Sequence, residues 1–126
     1  MPISGMNHFT VLAKDLAATK EFYMGVLGLS EGFRPDLGFP GAWLYAGKDA
    51  VLHIIAGREL PPDPRGVLDH MAFSARDLPA TTSLLKARGI AYDLRRQNQS
   101  GVWQLFCFDP NGARVELDFD PTEPAP

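Results

Sequence analysis

The sequence predicts an α+β fold built from two βαβββ modules with curved mixed sheets, and three observations lead there. The chain repeats itself, a proline-rich stretch separates the repeats, and each repeat reads as an alternating strand, a capped helix and three short extended runs. His8-Phe9-Thr10-Val11-Leu12-Ala13-Lys14-Asp15-Leu16 returns as His70-Met71-Ala72-Phe73-Ser74-Ala75-Arg76-Asp77-Leu78. Ala50-Val51-Leu52-His53-Ile54 returns as Ala113-Arg114-Val115-Glu116-Leu117, one residue further out of step. Between the copies, prolines at 61, 62 and 64 fix φ and remove backbone donors. The expected organisation is one domain with a first module over about 5–57, a linker over 58–66 and a second module over about 67–120.

In the first strand, His8, Thr10 and Leu12 fall on one face and Phe9, Val11 and Ala13 on the other. The second repeat starts the same way, with His70, Ala72 and Ser74 in line. Asp15 and Asp77 stand at the N-cap positions of the helices that follow, where a carboxylate accepts from unpaired first-turn amides. In the first helix Leu16, Thr19, Phe22, Tyr23, Val26 and Leu27 fall at helical spacing, with Gly25 and Gly28 ending it. The second helix is expected over 79–88, stopping at Gly89, a residue that tolerates positive φ. Extended runs are expected over 30–33, 42–46 and 50–55, then over 91–94, 102–108 and 113–119. The tail from Asp120 is expected to fray.

A chain of 126 residues with 12 Lys plus Arg, 15 Asp plus Glu and a net charge of −3 has no strong field of either sign, which argues against nucleic acid as a partner. No apolar stretch is long enough for a membrane span, and the first residues lack the pattern of a secretory signal, so a cytoplasmic protein is expected. The single cysteine, Cys107, lies in an apolar run and reads as a small core residue rather than a nucleophile.

All three histidines occupy repeat-equivalent positions: His8 matches His70, and His53 matches Glu116. Alternation places Arg114, Glu116 and Asp118 on the strand face opposite Val115, Leu117 and Phe119, and His53 lies likewise opposite Leu52 and Ile54. If the two sheets curl around a shared concavity, their first and fourth strands bring His8, His53, His70 and Glu116 together. Imidazoles and a carboxylate are ligands for zinc, iron, nickel or manganese, and an open position would admit a substrate oxygen. Trp43 and Tyr45 share a strand face and Arg34 opens a loop rich in Pro and Gly that could cover a substrate. Core packing and solvation are the alternative accounts of those three. Gln104 could donate to a substrate oxygen or simply face water, and Arg114 could pair with Asp118 or Glu116.

Asn7-His8-Phe9-Thr10 with Asp15-Leu16, Glu21-Phe22-Tyr23 with Gly25-Val26-Leu27-Gly28-Leu29, Asp69-His70, and Phe108-Asp109-Pro110-Asn111-Gly112 leading to Glu116 together resemble the vicinal oxygen chelate superfamily. That group holds glyoxalases, extradiol dioxygenases, epimerases and bleomycin resistance proteins. The resemblance implies a cup of paired modules, usually completed in a homodimer, with a divalent metal ion held by His8, His70 and Glu116. His53 is at the position that varies between branches, as ligand or as proton-transfer base. Thr10, Arg34, Trp43, Tyr45, Gln104 and Phe106 are the expected substrate-binding residues, with His53 and Glu116 catalytic. The first expectation is a glyoxalase-type lyase or isomerase acting on a small molecule. An extradiol dioxygenase is the alternative that a histidine at 53 favours and Phe106, in place of that branch's tyrosine, disfavours. Two further alternatives are a metal-free module sequestering an antibiotic or other small molecule, and a thiol transferase similar to those that modify fosfomycin.

Overall fold

The computed structural model describes residues 2–126, which divide into two compact units that meet between Pro62 and Asp63. In the first, β1 (Phe9–Ala13), α1 (Leu16–Glu21), β2 (Ser30–Glu31), β3 (Gly41–Ala46) and β4 (Asp49–Ala56) follow one another. In the second the order is β5 (Met71–Ala75), α2 (Leu78–Ala87), β6 (Asp93–Arg96), β7 (Trp103–Phe108) and β8 (Arg114–Phe119). Both units are therefore βαβββ, as the repeat predicts.

Each sheet has the same topology. Strand order is β1-β4-β3-β2 in one and β5-β8-β7-β6 in the other, and only the outer pairs β1/β4 and β5/β8 are parallel. A parallel neighbour needs a long crossover, and the intervening helix and two strands supply it. In the first unit the core takes Val11 and Ala13 from β1, Ala42 and Leu44 from β3, and Leu52, Ile54 and Ala56 from β4. Phe22, Tyr23 and Val26 of the helical segment are buried as well, and α1 lies against β4. In the second unit Val115, Leu117 and Phe119 of β8 are buried together with Leu105 and Cys107 of β7 and Leu78 and Leu85 of α2. Burial pushes the Cys107 thiol up to about 11, so it is a core residue and not a thiolate.

Both predicted N-caps form. The Asp15 carboxylate accepts from the Ala18 amide at 3.1 Å and that of Asp77 from the Ala80 amide at 3.3 Å. Past Glu21 the first helix widens into a π-type turn over Phe22–Val26, and Gly25 sits inside that turn instead of ending it. The chain leaves the helix at Gly28, where φ is +84°, and the second helix at Gly89, where φ is +67°. Two expected strands also change. The run over 30–33 shortens to two residues because the Tyr45 ring lies over Gly32 and its hydroxyl donates to the Phe33 carbonyl at 2.7 Å. The run over 91–94 moves to Asp93–Arg96, where the Arg96 guanidinium donates to the Gly101 and Pro121 carbonyls at 3.0 and 2.6 Å.

The tail does not fray. The Glu123 carboxylate accepts from the Asp77 and Leu78 amides at 2.8 and 3.0 Å, covering donors that the start of α2 leaves open. The Trp103 indole donates to the Glu123 carbonyl at 3.1 Å, tying the tail to β7 as well. No helix among the described residues is long and apolar enough to cross a membrane.

The turn from β7 to β8 aims the strand that carries Glu116. Asp109 is buried, and its Oδ1 accepts from the Asn111 and Ala113 amides at 2.8 and 2.9 Å. Removing that carboxylate strands two amides in a part-buried turn, so Asp109→Ala is expected to cost about 2 kcal/mol. Urea unfolding followed by far-UV circular dichroism measures it; a loss below about 0.5 kcal/mol would show that the turn holds without its carboxylate.

Candidate functional site

In the first unit the parallel register sets Thr10 beside His53, and the antiparallel register sets Trp43 on its other side. The result is a stack. The His8 ring lies 3.7 Å from the His53 ring at 12°, and the Trp43 ring 4.0 Å from it at 10°, centroid to centroid. Burial, the charge of His8 and that of Arg34 hold His53 below the usual histidine range, against a hydrogen bond with the Ala50 backbone that raises it. His53 is therefore neutral at pH 7, the form that binds a cation or accepts a proton.

A cavity of about 60 Å³ opens beside the stack, with Thr10, Arg34, Leu37, Phe39, Trp43 and His53 among its lining residues. Arg34 is held there by donating to the Phe39 carbonyl at 3.0 Å, with its guanidinium carbon 5.0 Å from the Phe39 ring centre. Gly41 allows that position, because a Cβ there would stand 2.9 Å from Nη2 of Arg34. Thr10, Arg34 and Trp43 thus share one cavity lining with His53. Tyr45 does not line this cavity; its hydroxyl is committed to Phe33.

In the second unit Ala72 and Phe106 flank Glu116 across the sheet. The carboxylate of Glu116 faces Nε2 of His70 at 2.9 Å through Oε1 and accepts from Gln104 at 3.3 Å through Oε2. Its side chain is 8% exposed against 33% for His70, so solvent reaches the pair from the imidazole side. Phe106 meets the His70 ring edge-on at 5.8 Å, with Arg95 and Arg114 over the Phe106 ring. Arg114 pairs with neither Glu116 nor Asp118; it donates to Oδ2 of Asp69 at 3.0 Å.

Two residues outside the expected set orient the imidazoles. Oδ1 of Asn7 lies 2.7 Å from Nδ1 of His8, and Oδ2 of Asp69 lies 2.7 Å from Nδ1 of His70. An acceptor at Nδ1 keeps the proton there and turns the Nε2 lone pair outward, as in metal-binding histidines. The His70 and Arg114 hydrogen bonds hold the Asp69 carboxyl below its usual range. Asn7 and Asp69 are repeat equivalents, directly before matched histidines, and that was the available signal.

Nε2 of His70 and Oε1 of Glu116 stand 2.9 Å apart. Ligand atoms each about 2.1 Å from one cation stand roughly 3 Å apart at a right angle, so this pair matches two neighbouring ligands. Among the described residues, no three His, Cys, Asp or Glu side chains form a metal-holding group; within the units the expected ligands stand as the pairs His8 with His53 and His70 with Glu116.

Comparison with known proteins gives the family and the fold. A family model described as the Glyoxalase/Bleomycin resistance protein/Dioxygenase superfamily matches residues 5–117. Glyoxylase I 4 of Arabidopsis thaliana is 28% identical over 123 residues, covering 91% of this chain and 70% of its own. Among solved structures, a glyoxalase family protein from Bacillus anthracis is 24% identical with a TM-score of 0.76, over 94% of this chain and 96% of that one. A mutant of the fosfomycin resistance protein FosX from Listeria monocytogenes, complexed with Mn(II) and 1S,2S-dihydroxypropylphosphonic acid, is 21% identical with a TM-score of 0.75, over 94% of this chain and 93% of that one.

Asp118 neighbours the pair. Burial, the hydrogen bond to Glu116 and the charge of Glu116 raise its carboxyl from 3.8 to about 6, with His70 pulling the other way. A folded-state value above the unfolded one favours the fold while the group is protonated. That contribution is complete below the ordinary carboxylate value and is lost as pH rises through about 6. In chelator-treated protein, Tm is expected to fall between pH 5 and 7.5, and Asp118→Asn to flatten the profile and melt higher at pH 7.5. Parallel melting profiles for the two proteins would contradict the assignment.

Proposed function

Because the chain belongs to the Glyoxalase/Bleomycin resistance protein/Dioxygenase superfamily, we propose that it is a divalent-metal-dependent enzyme catalysing glyoxalase-type lyase or isomerase chemistry on a small molecule. The proposed ligands are His8, His53, His70 and Glu116, for zinc, iron, nickel or manganese, in a protein working as a cytosolic homodimer. One observation carries the reading: Nε2 of His70 and Oε1 of Glu116 face each other at 2.9 Å while Asp69 holds Nδ1. Ordinary surface histidines have no need of a buried carboxylate on one nitrogen and an orienting carboxylate on the other.

A bound divalent cation supplies Lewis-acid withdrawal of charge from two neighbouring substrate oxygens. The chain's own groups supply the rest. His53, clamped between the His8 and Trp43 rings and with its neutral form favoured by burial, accepts a substrate proton when it is not itself bound to the cation. Glu116 is the second proton carrier, its carboxylate steadied by Gln104. Phe106, edge-on to His70, keeps an apolar wall beside the pair and limits competing water.

Ring cleavage of a catechol is the reading to set beside it, since a neutral histidine at 53 serves that chemistry equally. Turnover of 2-oxoaldehyde hemithioacetals against catechols under oxygen, with each metal in turn, separates the two.

Protein purified without chelator is expected to carry near-stoichiometric metal, and His70→Ala to lose it. Asp69→Ala should keep the fold and bind the metal roughly ten- to a hundredfold less tightly. Metal uptake should release protons in proportion, measurable in weakly buffered solution. A His70→Ala protein with undiminished metal content would overturn the ligand assignment.

A further inference from the structure

Arg34 is a cation held by a carbonyl and a ring. Among the described residues no carboxylate lies within ion-pair distance of it. The one acid in its own loop, Asp36, is turned to the Gly38 amide at 3.1 Å. The titratable groups near it are the imidazole of His53 and, across the Phe39 ring, the guanidinium of Arg58, neither of which adds negative charge. Nε of Arg34 is buried and meets no acceptor among the described residues. An unsatisfied donor of this kind costs about 1–3 kcal/mol and is retained where something else uses the group.

The guanidinium is nevertheless held in place. The Phe39 carbonyl takes Nη2, the Phe39 ring lies beside the guanidinium, and Gly41 leaves room that any other residue would fill. Pro40 pins the same loop to the end of β4, its carbonyl accepting from the Ala56 amide at 2.9 Å. The guanidinium, Trp43, Leu37 and His53 all line the 60 Å³ cavity. That space takes a small anionic head group, and the Trp43 and Leu37 side chains on its wall favour one carried on carbon, a carboxylate, over free phosphate.

We propose that Arg34 and the cavity beside Trp43 form a subsite for a small carboxylate, so that the substrate of this protein is an organic acid. A planar guanidinium pairs with a planar carboxylate through its fork of donors, which a neutral oxygen cannot match. Trp43 and Leu37 pack the carbon skeleton next to the head group. The inference rests on the proposed function only in taking this carboxylate as part of the substrate; the subsite itself needs no metal.

Pyruvate, its neutral isostere pyruvamide and inorganic phosphate are the probes, titrated into the chelator-treated, nitrogen-15-labelled full chain while the Trp43 indole resonance is followed. The Trp103→Phe variant assigns that resonance. Pyruvate should shift it saturably, and pyruvamide and phosphate should bind at least tenfold more weakly. Arg34→Gln should abolish the pyruvate response and Arg34→Lys should weaken it, while Arg58→Gln, which removes the other cation near the Phe39 ring, should leave it within twofold. Melting curves show whether the Arg34 variants fold, and the pyruvate against pyruvamide comparison on the unaltered protein stands whether or not they do. Equal binding of the acid and its amide, tighter binding of phosphate, no response to any probe, or undiminished pyruvate binding by a folded Arg34→Gln would overturn the proposal. Because no metal is present, failure here is distinct from failure of the metal-enzyme reading, which metal content alone decides.

Discussion

The parallel pairing of first strand with last in each unit is the constraint from which the candidate chemistry follows. Phe9 registers with Leu52 and Thr10 with His53, which brings the His8 ring, just before the strand, onto His53. Met71 registers with Val115 and Ala72 with Glu116, and His70, just before its own strand, meets the Glu116 carboxylate. A slip of one residue in either pairing would send His53 or Glu116 to the apolar face and expel Leu52 or Val115 from the core. Core burial thus enforces the register, and the register creates the pairs. Leu117 and Ile54, next to the pairs but facing the core, contribute to the site in this indirect way.

The same scaffold is given opposite electrostatic characters in the two units. In the first, the His8 imidazole, an indole and the Arg34 guanidinium surround His53, and burial together with the added positive charge favours its neutral form. In the second, Asp69, Glu116 and Asp118 surround one imidazole, and the closeness of two carboxylates raises Asp118. Around the pairs the units differ at Glu116 where the first has His53, Phe106 where it has Trp43, and Asp69 where it has Asn7. A lone-pair donor is kept at 53 and 116 and at 7 and 69, while the sign of the surroundings changes.

Much was legible in the chain itself. The repeat showed two βαβββ modules, the aspartates before each helix marked the caps, and strand alternation separated His53 and Glu116 from the core. These features depend on neighbours in sequence and on a period of two, so no distant contact is needed to read them. What escaped depended on distant residues. Glu123 caps a helix that starts 45 residues before it, so nothing local to the tail announced that it was ordered. Tyr45 shares a strand face with Trp43 by alternation, yet its hydroxyl reaches Phe33 and takes it out of the cavity lining.

By itself, then, the sequence determined the repeat, the order of elements within it and the matched set of ligand-type residues, and its motifs resembled the superfamily. The first three follow from periodicity and capping chemistry, which are properties of the linear chain. Tertiary structure alone decided that Nδ1 of each first-strand histidine is held by its preceding side chain, that Gln104 serves Glu116, that Arg114 serves Asp69, and that Arg34 stands beside Trp43 without a carboxylate. Each of these is a choice among several partners within reach of a long or freely rotating side chain. Such a choice is settled by packing and competing charges in three dimensions, and the order of residues does not encode it locally.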